Sequence, residues 1–197
     1  MKEKIDNKKI IFASSSPRRK KIIQNYRDDF LFKKPKFVEE VQTNISAKDF
    51  TQFNATEKAI SISKFFPHNY IISADTVLDY KGLVIGKPLN KSDALEKLKL
   101  LNGDYHKVIT SIALVKDNNL ITSANKITLV KTHKISLDKI KKYLLTNYYK
   151  DKAGSYGIQD WIGMIGIEKI IGSYTSVLGL PVPQVINEII SIIKNEG

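Results

Sequence analysis

Apolar residues follow two rhythms along this chain. Short unbroken apolar runs alternate with stretches in which apolar positions recur every three or four residues, the pattern of buried strands alternating with amphipathic helices. Ile10-Ile11-Phe12-Ala13 predicts a buried strand over 10–14, and Pro17, suited to a first helical position, opens a helix to about residue 26. Residues 30–38 read as a strand, and a helix is expected over 47–66, with Ser46 and Asp49 in capping-box-like spacing and Pro67 as its stop. An apolar strand over 70–78 ends close to Asp75-Thr76, and a short strand at 83–85 follows the turn Tyr80-Lys81-Gly82. A helix over 91–101 is closed by Asn102-Gly103.

In the second half, strands over 108–115 and 120–130 read as a hairpin joined through Lys116-Asp117-Asn118-Asn119. Ser136 opens a helix to about residue 145, and the glycine-rich stretch 154–179 is expected to hold strands and tight turns, with Met164 to Ile167 as one apolar strand piece. After Pro183, the residues Val185, Ile186, Ile189, Ile190 and Ile193 recur at helical spacing. The mixture predicts an α/β architecture. A chain of 197 residues fits one sizeable domain or two closely joined lobes. With no internal repeat and no linker, the expectation is a basic N-terminal extension over 1–9 and a single domain over 10–197.

The 42% hydrophobic and 26% charged fractions are those of an ordinary globular chain, which excludes collagen-like and wholly disordered classes. Cysteine is absent, which removes disulfide scaffolds, thiol nucleophiles and Cys-based metal clusters. The N-terminal apolar run is too short for a secretory signal, and no stretch of about 18 uncharged apolar residues exists to span a membrane. A cytoplasmic location without a membrane partner is the expectation. A formal charge of +12 invites a nucleic-acid reading, but the lysines are spread from Lys2 to Lys194 rather than clustered. Together with abundant isoleucine and asparagine they read as a coding bias, so nucleic acid is not the expected partner. Arginine occurs only at Arg18, Arg19 and Arg27. The adjacent pair suggests a need for the forked guanidinium.

Five segments carry candidate chemistry. Ala13-Ser14-Ser15-Ser16-Pro17-Arg18-Arg19 sits at a strand-to-helix junction, where free N–H groups and the helix dipole favour an anion; the plainer alternative is an N-cap with two solvated arginines. Asp75, emerging from an apolar strand, is a candidate metal ligand or a turn cap, and Lys87 in Gly86-Lys87-Pro88 is a phosphate-directed charge or one more surface lysine. Glu39-Glu40 and helical Lys58 are uninformative alone. In 152–159, small residues let backbone approach a ligand and Gln159 offers an amide to a base edge; a glycine-rich strand connection is the alternative.

These segments, with Gly103 to Thr110 including His106 and the closing Val177-Leu178-Gly179-Leu180-Pro181, resemble the Maf family in order and approximate spacing over about residues 10–190. The resemblance implies the α/β fold shared with ITPase-like enzymes, an elongated mixed β-sheet with flanking helices and two lobes around a cleft. It implies a nucleoside triphosphate pyrophosphatase that uses a divalent cation (Mg²⁺, Mn²⁺ or Co²⁺), and a homodimer is among the assemblies it suggests. By position, Asp75, Glu40, Lys58 and Lys87 match catalytic residues, with Glu40 and Asp75 as cation ligands, and Ser14 and Arg18 match substrate contacts. Asp75 is the first choice to activate water and Glu40 the alternative. Arg19, Thr76 and Gln159 match the branch acting on dTTP and UTP. One departure stands out: Asp160 follows Gln159 where the family usually has glycine, so a side chain there could crowd the base pocket or repel phosphate. The competing reading is a nucleotide-sensing or nucleic-acid-associated regulator of cell division without turnover.

Overall fold

The computed structural model describes residues 10–26, 30–39 and 45–195. In chain order the strands are β1 (Ile10–Ala13), β2 (Phe30–Lys33), β3 (Tyr70–Tyr80), β4 (Leu83–Ile85), β5 (Tyr105–Lys116), β6 (Asn119–Thr132) and β7 (Ile167–Ile171). The helices are α1 (Pro17–Tyr26), α2 (Ala47–Ser63), α3 (Lys91–Leu101), α4 (Leu137–Tyr143), α5 (Trp161–Gly166) and α6 (Tyr174–Val177), followed by α7 (Val182–Gln184), a π-helical segment (Val185–Ile189) and α8 (Ile190–Asn195). The seven strands form one mixed sheet in the order β2-β1-β3-β5-β6-β7, with β4 antiparallel to β3. Two compact units divide the chain: Met1–Asp75 with Thr110–Asn125 and Gly179–Gly197, and Thr76–Ile109 with Lys126–Leu178.

In the first unit, β1 runs parallel to both β2 and β3, pairing Ala13 with Lys33 on one side and with Ser73 on the other. Strand alternation then sorts side chains onto two faces. Ile10, Phe12, Tyr70, Ile72, Ala74, Ile112 and Leu114 join Ile23 of α1 and the C-terminal helical residues Val185, Ile189 and Ile193 in one core. The neighbouring positions Ile11, Ala13, Ile71 and Val115 pack instead on Ala59 and Ile62 of α2. Ser46 caps α2 as its sequence promised, accepting the Asp49 N–H at 3.1 Å while its hydroxyl donates to the Asp49 carboxylate at 2.6 Å.

In the second unit, α3 and α4 meet through Ala94, Leu98, Ile140, Tyr143 and Leu144, and Ile162 of α5 joins them. A second cluster gathers Leu78, Ile85, Leu101, Val108 and Val130. Gly154 holds φ +68°, and a Cβ there would lie 2.4 Å from Leu78 Cδ2, so both conformation and packing demand glycine.

Several boundaries differ from the sequence pattern. The strand expected over 30–38 stops at Lys33, and the helix expected to residue 66 ends at Ser63. The hairpin strands are longer than expected, joined where Asp117 and Asn118 take φ +49° and +64°; that left-handed pair matches the twist of a tight hairpin. Met164 to Gly166 are helical rather than strand. Trp161 and Ile162 pack with residues of α3 and α4, and Gly163 lets the short helix lie directly on the Gly157 and Ile158 carbonyls. The strand begins at Ile167.

Candidate active site

Asp75 stands in the middle of β3, not at a strand end as its sequence context suggested. Alternation places it on the face that packs against α2, two residues beyond Ser73, whose hydroxyl donates to Ala55 O. On α2, Asn54 and Lys58 are four residues apart and share one face. Both reach Asp75: Lys58 Nζ donates to Oδ1 at 2.5 Å, and Asn54 Nδ2 donates to Oδ2 at 3.3 Å. Lys58 also pairs with Glu39 Oε1 at 2.6 Å. The side chains of Asn54, Lys58 and Asp75 are buried, with Asn54 1% exposed. Buried charges are tolerated when paired and hydrogen-bonded, and here one ammonium serves two carboxylates. Asn54 Oδ1 is buried without a hydrogen-bond partner.

The first motif lies at the carboxyl end of β1. Ser14 donates its N–H to Lys33 O at 3.0 Å and its hydroxyl accepts the Ser16 N–H at 3.2 Å, which shapes the turn into α1. Arg18 and Arg19 follow in the first turn, both half-buried. Arg19 Nε donates to Gly179 O at 2.7 Å, so the closing Val177-to-Pro181 motif supplies a fixed acceptor to the opening one. Burial lowers the Arg19 pKa, Asp75 and Glu39 oppose that shift, and Arg18 adds to it. Arg19 thus feels the same two carboxylates that Lys58 bridges. With β1 between β2 and β3, the carboxyl end of β1, beside Ser73 in β3, is a switch point of the kind at which open α/β sheets bind ligands.

In the second unit, Thr76 follows Asp75 on the opposite face of β3 and is half-buried. Lys87 is exposed, and its segment is tied down on both sides: Lys97 Nζ donates to Lys87 O at 2.9 Å, and Gly154 N–H donates to Gly86 O at 3.2 Å. Gln159 is exposed at the corner of the turn before α5. Asp160 accepts from Tyr143 Oη at 2.7 Å and lies 3.5 Å from Lys152 Nζ, with its side chain 11% exposed. His106 bonds to Tyr156 Oη at 2.7 Å, and burial lowers its pKa to about 4, with Asp104 opposing the shift.

The structure therefore brings Lys58 to Asp75 and sets Arg19 within their field, with Ser14 and Arg18 beginning the same helix entry. Glu40 lies outside the described residues. Its neighbour Glu39, which the sequence offered only as half of a pair, is the carboxylate seen on Lys58. Asn54 was missed; its place four residues before Lys58, on a helix that must face β3, was the signal available. Two carboxylates sharing one cationic group offer hard oxygen atoms of the kind Mg²⁺ accepts. Among the described residues no group of three or more acidic, histidine or cysteine side chains could hold a metal.

Fold and side chains define an α/β protein with a buried charge cluster, Lys58 between Asp75 and Glu39, beside the carboxyl end of β1. A family profile described as Maf-like protein matches residues 9–192. A dTTP/UTP pyrophosphatase of Bacteroides fragilis is 36% identical over 187 residues, covering 94% of this chain and 96% of that one. A dTTP/UTP pyrophosphatase of Pyrococcus furiosus is 40% identical over 178 residues, covering 89% and 90%. The solved structure of the Staphylococcus aureus Ham1 protein matches 64% of this chain and 72% of its own at 16% identity, with a TM-score of 0.45. The chain belongs to the Maf family. Among the described residues no helix is long and apolar enough to cross a membrane.

Proposed function

We propose that the protein is a nucleoside triphosphate pyrophosphatase acting on dTTP and UTP, yielding the monophosphate and pyrophosphate with a divalent cation in a cytoplasmic setting. The observation that carries the reading is the Lys58 ammonium shared by Asp75 and Glu39 beside Arg19. Such an alternation of opposite charges suits a substrate that is itself a polyanion with a cation attached. The names of relatives 36–40% identical support both the reaction and the base.

Asp75, with Glu39 or Glu40, would hold the cation, and the orphaned Asn54 Oδ1 is a further oxygen beside it. When bound, the cation supplies charge neutralisation on the phosphate oxygens. The Asp75 carboxylate orients water for in-line attack on the α-phosphorus and receives its proton. Lys58 and Arg18 hold phosphate oxygens, and Arg19, aimed by its bond to Gly179, presents a forked donor. Ser14 contributes a hydroxyl at the same helix entry. For Thr76, Lys87 and Gln159 the proposal carries over the roles of the resembling family: Lys87 meets the leaving pyrophosphate, while Thr76 and Gln159 read the pyrimidine edge.

A nucleotide panel assayed with Mg²⁺, Mn²⁺ and Co²⁺ tests the reading. UTP and dTTP should be hydrolysed with higher kcat/KM than CTP, ATP and 7-methyl-GTP. Preference for 7-methyl-GTP would refute the pyrimidine assignment while leaving the reaction class standing.

A further inference from the structure

The side chain that breaks the family pattern, Asp160, is held inside the second unit by Tyr143 and Lys152, directly after Gln159 in the same turn. Residues Gly157, Ile158, Gln159 and Asp160 form a β-turn, closed by the Asp160 N–H on Gly157 O at 3.0 Å. Gly157 and Ile158 are buried, whereas Gln159, at the third position of the turn, is exposed. Three fastenings converge on this turn. Gly163 of α5 presses on its outer carbonyls so closely that a Cβ would lie 2.3 Å from Gly157 O and 2.6 Å from Ile158 O. The Lys152 stem passes Gly157, where a Cβ would meet Lys152 Cε at 2.6 Å and Asp160 Oδ2 at 2.7 Å. The Asp160 carboxylate then accepts from Tyr143 Oη at 2.7 Å and pairs with buried Lys152.

Lys152 is fully engaged in this task. Its ammonium donates to Tyr148 O and to Asp151 Oδ1 at 3.0 Å in addition to facing Asp160. It is therefore a strut of the loop and not a phosphate ligand, despite standing at the head of the Lys152-Ala153-Gly154 motif. Burial, then the bond to Asp160, raise the Tyr143 pKa well above the ordinary tyrosine range, so its hydroxyl remains a donor at neutral pH. A carboxylate that could have obstructed a base is instead turned inward and neutralised.

We propose that Asp160 is a positioning residue for base selection: clamped by Tyr143 and Lys152, it locks the turn that presents Gln159. This rests on the reading of Gln159 as the pyrimidine-facing amide. A preorganised turn matters because an amide that must be ordered on binding loses the advantage of a correctly placed hydrogen bond. Loosening the turn should therefore blunt discrimination between uracil and cytosine more than it slows hydrolysis.

The test measures kcat/KM for UTP and CTP in the wild type, Asp160→Ala, Asp160→Asn, Gln159→Ala and the Asp160→Ala/Gln159→Ala double variant. Amide hydrogen exchange over residues 158–164 is followed in parallel. In Asp160→Ala the UTP-to-CTP ratio should fall about tenfold, mainly through KM for UTP, and exchange over the turn should accelerate. Asp160→Asn keeps an oxygen for the Tyr143 hydroxyl and should retain most of the ratio. Gln159→Ala should cost little more once Asp160 is alanine, because two residues acting through one contact are not additive. An unchanged ratio, an equal loss on both nucleotides with additive variants, or unchanged exchange would overturn the proposal. A wild type that does not favour UTP overturns the specificity role together with the reading beneath it; exchange that still responds to Asp160→Ala would distinguish that case from a failed clamp.

Discussion

Asp75 is gripped at both carboxylate oxygens, by Lys58 on one and Asn54 on the other. Replacing it by asparagine keeps the shape and leaves Lys58 its second carboxylate, Glu39. Turnover of Asp75→Asn should drop by about a hundredfold or more, the scale of losing a positioned acid–base group, while the thermal midpoint stays close to that of the wild type. Near-normal turnover at saturating cation would remove Asp75 from the mechanism. His106 makes a prediction about pH. Its pKa falls from the unfolded 6.5 to about 4 because burial disfavours the imidazolium. The unfolded chain then binds more protons between those values, so this contribution to stability is complete above pH 6.5 and is lost as pH falls toward 4. In His106→Gln the urea midpoint should decline less steeply over that window than in the wild type; parallel curves would show that His106 is not the linked group.

At the scale of elements, the site follows from two periodicities meeting. Odd-numbered residues of β3 turn toward α2 through Ile71, Ser73 and Asp75, and α2 answers with Ala55, Asn54, Lys58 and Ala59. Most strands, most helices and the Ser46 cap were legible in the sequence because buried strands leave unbroken apolar runs and caps are local. Lys58 was legible only through family resemblance, since one lysine among many has no signature until the helix face is known. Asn54 and Glu39 depended on which face α2 turns to the sheet, a tertiary fact. Residues 164–167, three apolar side chains and a glycine, suit either period, and packing of α5 against the Gly157 turn makes 164–166 helical. That packing is testable. Gly163→Ala puts a Cβ into two backbone carbonyls and should destabilise by about 1–3 kcal/mol, whereas Gly86, with nothing within 4 Å of an added Cβ, should tolerate alanine with no measurable loss. Equal thermal midpoints for the two variants would contradict the close approach of α5.

Across the whole molecule, a charge of +12 spread over many lysines favours the approach of any polyanion, but it does not choose among them. Within the first unit Arg19 is fixed by Gly179, and within the second the turn that carries Gln159 is closed by the Asp160 N–H on Gly157 O; the proposed function gives both a part in selection. Arg19 is fastened by a residue 160 positions away, whereas the turn of Gln159 is fastened by groups between Tyr143 and Gly163. In the proposed reaction water attacks the α-phosphorus and pyrophosphate leaves intact. Hydrolysing UTP in isotopically labelled water and weighing the products tests it directly. Label should appear in the nucleoside monophosphate and not in pyrophosphate; label in pyrophosphate, or release of UDP and inorganic phosphate as the main products, would contradict attack at the α-phosphorus.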